Sequence, residues 1–363
     1  MDTVSRVESA GNGGRGLAET RLMGWAPVGR KRLGRRKGRL GAAPALQWSP
    51  QQALNRHGGM TMECRRWILA AAAVALVVPI TGTAQQGRGG MTAERRAEMM
   101  ARQAEALLAD MRMERPIEAL NSVWIEELTW MEVRDALRDG KTTAIISTGG
   151  IEQNGPYLAT GKHNYVLEGA CEGIARKLGN ALCAPVIKLV PEGGIANPSG
   201  HMRYPGTISL REETFRAVLD DVASSLRAHG FTNIVFIGDS GGNQGGMAAV
   251  AAALNERWRG GARAHYVPEF YRYREVFEWM ESELGITEPT NDGIHDDFVI
   301  TSIMTVVDPE SVRHAQRVAA GKASINGLSI ADLEATIETG KKLLGFRVDR
   351  TVEAIRAAIG GGS

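Results

Sequence analysis

Cysteine is scarce, with three residues in a chain of 363. Two of them, Cys171 and Cys183, lie beyond residue 84, one in an expected helix and one in an expected strand. That is no disulfide framework, and two buried thiols are expected. Internal repeats are missing, which excludes a solenoid. Long hydrophobic runs are missing too. The apolar stretch from Trp67 to Ile80 holds about 14 residues, short of the roughly 20 that cross a bilayer.

A surplus of positive charge is present, but only at the start. Residues 1–59 are rich in Gly and Arg, without helical or strand periodicity, and hold 11 Lys and Arg against 3 Asp and Glu. A basic arm for nucleic acid is one reading. The segment beginning at Met62 favours another, a disordered or mis-started leader. From Met62 the chain reads MECRRWILAAAAVALVVPITGTAQQ. Arg65 and Arg66 make a charged start, Trp67–Ile80 an apolar middle, and Thr81-Gly82-Thr83-Ala84 a cleavage site. These are the parts of a secretory signal peptide over residues 60–84, with translation starting at Met60 or Met62. The paired arginines also suit twin-arginine export, and an uncleaved signal anchor is the alternative. The expected location is periplasmic or secreted. Without the leader the formal charge is about −7, which removes the case for nucleic acid. No stable membrane span is expected after cleavage.

Residues 85–120 read as a helical linker, with a charged helix over 91–113. The domain expected over 121–355 then alternates strands and helices. Helices are expected at 131–139 (N-cap Thr129), 164–178 (C-cap Gly179), 211–229, 247–258 and 269–284. Strands are expected at 142–148, 181–190, 233–238 and 263–267. This alternation predicts an α/β fold, three layers α/β/α around a mainly parallel sheet. The stretch 191–209 is a long loop with four Gly and three Pro, and loops of that length are usually functional or disordered.

The chemistry-bearing residues collect just past expected strand ends, where open α/β sheets build their sites. Residues 149–163, GGIEQNGPYLATGKH, offer Glu152, Asn154 and His163. His201 sits in GHMRYPGTIS, and Asp239, Ser240 and Asn243 in GDSGGN. Asp292, His295, Asp296 and Asp297 sit in NDGIHDDF. Glu152, His163 and Asp239 form a candidate set of one imidazole and two carboxylates, suited to one Zn, Mn or Fe ion. Loop bracing and capping by the same polar groups is the bland alternative. Trp124, Trp130 and Trp279 are expected in the core rather than in a pocket.

Four of these motifs, in order, resemble the creatininase-like amidohydrolases over roughly Trp124 to Ser302. The family pattern G-S-x-E-Q-H-G-P-H-L-P-L-x-T-D is similar to residues 149–163. H-x-x-F-P-G-T-I-S matches His201–Ser209, N-G-H-G-G-N stands at Gly238–Asn243, and H-A-G-E-x-E-T-S is similar to His295–Ser302 at both ends. The resemblance implies a creatininase-like fold, a pair of divalent metals that activate water against an amide carbonyl, and closed homo-oligomers, often hexamers. It implies His295 as a proton shuttle and His201 as a group that orients substrate. The ligand set is only partly kept. Glu152 is retained, but Asn154, His163, Ser240 and Ile300 stand where the family has ligands, and Asp239 is new.

The function expected is therefore metal-dependent hydrolysis of a C–N bond in a small or cyclic amide, with one or two divalent ions. Metal ligands are expected at Glu152, His163 and Asp239, catalytic groups at His295 and His201. Asn154, Ser240, Asn243 and Asp297 are expected next to the substrate or behind the ligands. Gly238-Asp239-Ser240-Gly241-Gly242 also fits a nucleophile elbow, so a serine hydrolase using Ser240, His295 and Asp292 is an alternative. A relative that binds a small ligand without turning it over is another.

Overall fold

The computed structural model describes residues 92–361. The expected leader at 1–59, the signal segment at 60–84 and the first residues of the linker lie outside the described residues. Helix α1 (Ala93–Arg112) buries none of its residues. It is held at its C-terminal end, where Arg134 and Arg138 donate to the carbonyls of Asp110, Met113 and Met111. Helix α2 (Trp130–Arg138) begins at the expected cap. Thr129 accepts from the Glu132 amide, and the Glu132 carboxylate accepts from the Thr129 amide, so two free donors of the first turn are satisfied reciprocally.

Strand β1 (Thr143–Thr148) is buried throughout. A strand covered on both faces need not alternate, and Thr143, Ser147 and Thr148 lie buried with its aliphatic residues. Helix α3 (Lys162–Leu178) follows and stops at Gly179, whose φ of 80° is the left-handed conformation glycine adopts without penalty. Strand β2 (Ala181–Cys183) is shorter than the ten residues expected. Pro185 has no amide hydrogen to give the ladder, so the chain leaves the sheet. Ile187 touches the sheet again at an isolated bridge with Thr148, and Val190 then bridges to Ser209 outside the sheet.

Helix α4 (Glu212–Ala228), strand β3 (Asn233–Gly238), helix α5 (Gln244–Arg257) and strand β4 (Arg263–Tyr266) continue the alternation. The sheet runs β2-β1-β3-β4 and every pair is parallel. Helices α4 and α5 pack together against the side of β3 and β4, while α3 packs on β1 and β2. Helix α6 (Tyr273–Leu284) begins after a 3-10 turn, Pro268–Tyr271, that takes up the start of the helix expected from 269.

Three further helices were not legible in the apolar spacing: α7 (Phe298–Val307), α8 (His314–Ala319) and the long α9 (Leu333–Gly360). Between α8 and α9 lies a small antiparallel pair, β5 (Ser324–Ile325) and β6 (Leu328–Ser329). Helices α3, α7 and α9 pack on one another. Small residues allow this. A Cβ on Gly340 would lie 2.2 Å from the Ser302 carbonyl oxygen, and one on Gly169 would press on Val307 and Leu344. The close approach of α9 brings Arg347 to the end of the sheet.

Cys171 and Cys183 are a disulfide, not the two free thiols expected. Their Cα atoms are 6.2 Å apart because α3 turns back into the adjacent strand β2 and sets the two side by side. Spacing along the chain does not report that return. No helix among the described residues is long and apolar enough to cross a membrane.

Candidate functional site

The strand order reverses between β1 and β3, and the crevice past their C-terminal ends is where a doubly wound sheet places ligands. Here β1 releases Gly149 and Gly150, and β3 releases Asp239 and Ser240. Asn164, in the first turn of α3, accepts from the Gly150 amide at 3.1 Å and donates to the Gly150 carbonyl at 3.0 Å. Asn243 donates to the carbonyls of Thr148 and Gly149 at 3.1 and 2.8 Å. These two amides fix the backbone that carries Glu152. Asn154 acts locally as well, donating to the carbonyls of Glu152 and Ala159.

Glu152 is buried, and its Oε1 is the hub of the site. It lies 2.8 Å from His163 Nε2, 3.1 Å from His295 Nε2 and 3.2 Å from the Lys162 ammonium. Its Oε2 lies 3.3 Å from His201 Nε2. Burial alone would raise its pKa. The hydrogen bonds from His163 and His295, with the charges on His163 and Lys162, instead hold it well below the usual carboxylate range.

The structure brings Glu152, His163 and Asp239 together, but as a row rather than three ligands around one point. The His163 ring lies between the carboxylates, with Nδ1 2.8 Å from Asp239 Oδ2 and Nε2 facing Glu152. Two ionised carboxylates need two N–H donors, so the geometry calls for the imidazolium. Burial works against that charge, yet the bonds to Asp239 and Glu152 carry His163 up to about 9. Asp239 Oδ1 in turn accepts from Arg347 at 2.6 Å and from the Tyr273 hydroxyl at 2.8 Å. Burial would raise Asp239, but Arg347 and His163 keep it low.

Among the described residues, those whose ligand atoms do converge are Glu152, His201 and His295. One such atom from each lies within 4.8 Å of the others, and the group is of a kind that can hold a metal ion. The two imidazole rings stand 4.5 Å apart. His201 is held below its ordinary pKa by burial, which favours the neutral, ligating ring.

A second carboxylate, Glu192, was not singled out by its sequence context. It is 5% exposed, and its Oε1 has no hydrogen-bond partner. Its backbone is pinned by Ser209, whose Oγ accepts from the Glu192 amide at 2.9 Å. Burial and the neighbouring Glu152 carboxylate push it up to about 8. The visible signal was a lone acid past the apolar run 181–190, at the head of the Gly-rich loop. Lys162 and Arg347, both about 2% exposed, were also missed.

The alternative nucleophilic triad is not assembled. His295 Nε2 faces Glu152, and Asp292 accepts from the Asn326 amide at 2.7 Å. Ser240 precedes a short 3-10 turn, Gly241–Asn243, with its side chain making no capping bond. Asp297 caps α7, accepting from the Ile300 amide at 2.7 Å, and burial raises it to about 6. Asp296 is raised to about 7, again by burial first, and neither of its oxygens has a partner.

Such a donor set fits a divalent ion. Two imidazole nitrogens and a carboxylate converge, and a buried carboxylate oxygen beside them is left without a partner.

Comparison with known proteins agrees with the motif reading. The family described as "Creatininase: Creatinine amidohydrolase" matches residues 126–355. A creatinine amidohydrolase of Pseudomonas putida is 26% identical over 116 residues, 32% of this chain and 44% of that protein. A 3-dehydro-scyllo-inosose hydrolase of Thermotoga maritima is 26% identical over 129 residues, 36% of this chain and 38% of that protein. The chain thus matches less than half the length of these curated relatives. A solved structure described as "Creatininase Mn" aligns with a TM-score of 0.48 at 21% identity, covering 65% of this chain and 98% of its own. On the extent of the family match, with its four ordered motifs, the chain belongs to the creatininase family.

Proposed function

We propose that the protein is a metal-dependent amidohydrolase that cleaves a C–N bond of a small or cyclic amide. The observation that carries this reading is the convergence of Glu152, His201 and His295. In it, these three hold the cation, and His201 and His295 act as ligands rather than as the orienting group and proton shuttle suggested by resemblance. A Zn, Mn or Fe ion bound there supplies Lewis-acid activation of water and of the amide carbonyl. His163 and Lys162 hold the Glu152 carboxylate in one orientation, as partners behind a ligand do. Asp239, itself held by Arg347 and Tyr273, holds His163 in turn. His295, with its side chain 47% exposed, stands at the rim where a small substrate enters.

We also propose a periplasmic or secreted location. The segment at 62–84 supports it, and the Cys171–Cys183 disulfide suits an oxidising compartment. Self-association into a homo-oligomer is proposed on family resemblance.

The test is hydrolysis of a panel of small and cyclic amides, creatinine included, by the purified protein before and after chelation. The reading expects C–N cleavage that is lost with the chelator and returns with Zn, Mn or Fe. Full activity after complete metal removal overturns it.

A further inference from the structure

Glu192 stands at one end of a loop that closes on itself, and His201 stands at the other. The Gly194 amide donates to Ser199 Oγ at 2.9 Å across the closure. A Cβ on Gly193 would lie 2.1 Å from the Ser199 carbonyl oxygen. The loop therefore carries an imidazole and a carboxylate that each reach Glu152. Gly150 makes room for that carboxylate, since a Cβ there would lie 2.1 Å from Glu192 Oε1.

Glu192 meets the Glu152 carboxyl group. Two buried carboxylates in contact repel unless a proton or a cation is held between them. Around Glu152 the cations are already taken. Lys162 lies on Glu152, and Arg347 lies on Asp239. Glu192 has no such ion pair among the described residues, and its Oε1 is left without a hydrogen-bond partner. A dication brought to Glu152 alone would face the Lys162 ammonium with a single carboxylate to offset both. A second carboxylate answers that excess.

We infer that Glu192 is a direct ligand of the cation, making with Glu152, His201 and His295 a site of two carboxylates and two imidazoles. This rests on the cation site of the proposed function and adds a ligand to it. Such a set suits a borderline divalent ion of the zinc class rather than calcium, which takes oxygen ligands.

The experiment uses the full chain, stripped with a chelator and titrated with Zn²⁺ by calorimetry and with Co²⁺ by visible absorption. Native protein, Glu192→Gln, Gly150→Ala and Glu152→Gln are compared, with the fold of each checked by circular dichroism. Glu192→Gln is expected to weaken both metals by at least about tenfold and to change the cobalt spectrum. Gly150→Ala keeps every ligand but displaces the Glu192 carboxylate, and is expected to weaken binding too. It also decides the matter if Glu192→Gln fails to fold. Native affinity and an unchanged spectrum in Glu192→Gln, or in Gly150→Ala if only that folds, overturn the inference. If Glu152→Gln then still loses the metal, the proposed function stands without Glu192. Absence of metal binding by the native protein overturns both.

Discussion

Arg347 Nη2 donates to Asp239 Oδ1 at 2.6 Å, joining the last helix to the end of the central strand β3. Both side chains are essentially without solvent contact. The guanidinium also donates to the Phe270 carbonyl and to Tyr273 and lies over both rings, so its desolvation is offset by several partners at once. Removing Arg347 leaves the buried Asp239 carboxylate with only His163 and Tyr273 against it, short of its fully charged partner. Arg347→Ala is therefore expected to cost roughly 3–5 kcal/mol in urea unfolding. Arg347→Lys should recover only part of this, because an ammonium cannot reproduce the planar fork. A loss below about 1 kcal/mol would show that the pair is not a fixed part of the native state.

The His163 row predicts a pH dependence with a definite sign. In the folded protein the ring titrates at about 9, above the roughly 6.5 of an unfolded chain. Below about 6.5 both states hold the proton, and the contribution to stability is complete. Between the two values the folded state binds more protons, so stability falls as pH rises, and it is lost above the folded value. The metal-free protein should thus lose stability from pH 6.5 to 9, by at most about 3 kcal/mol from this group. Glu192, at about 8, slopes in the same direction but begins lower, near 4.5. Thermal unfolding of native protein and His163→Gln across this range separates the two. A variant profile as steep as the native one would mean that His163 is not charged in its row.

Sequence alone reached the sheet because β1 and β3 each hold a continuous aliphatic or aromatic centre, residues 144–146 and 234–237, set between amphipathic helices, and it reached Glu152, His201 and His295 because they stand in motifs. It did not reach α9, where buried Leu343, Leu344 and Val348 alternate with buried Gly340, Arg347 and Thr351, so the apolar stripe is broken, at Arg347 by a residue that serves the site. The pairing of Asp239 with Arg347 spans 108 positions of sequence and depends on Gly340 letting α9 approach α7. His163 was legible as a ligand-type residue. That both its nitrogens face carboxylates is a matter of how the first turn of α3 meets the end of β3, which no local pattern encodes.

The disulfide closes a short loop between α3 and β2. Replacing Cys171 and Cys183 together by Ala should lower stability by about 3 kcal/mol, the chain-entropy value for a loop of this size. The native protein in reductant should fall to the level of the double variant, and the variant itself should not respond to reductant. Equal stability of native and variant protein under oxidising conditions would contradict the bond.

The two catalytic designs legible in the same stretch of chain are separated by Ser240 and Glu152. If Ser240 were a nucleophile, its removal would abolish turnover, since no other hydroxyl lies in that motif to replace it. In the structure His295 addresses Glu152 instead, and Asp292 is bonded to Asn326. Ser240→Ala is accordingly expected to keep kcat/KM within about threefold of native on whichever amide is turned over. Glu152→Gln should lose on the order of a thousandfold, because the proposed ligand, the hub of four donors and the charge that holds His163 disappear together. The pair of rate constants, measured on the same substrate with saturating metal, decides between them. Loss on Ser240→Ala with activity retained in Glu152→Gln would reverse the assignment.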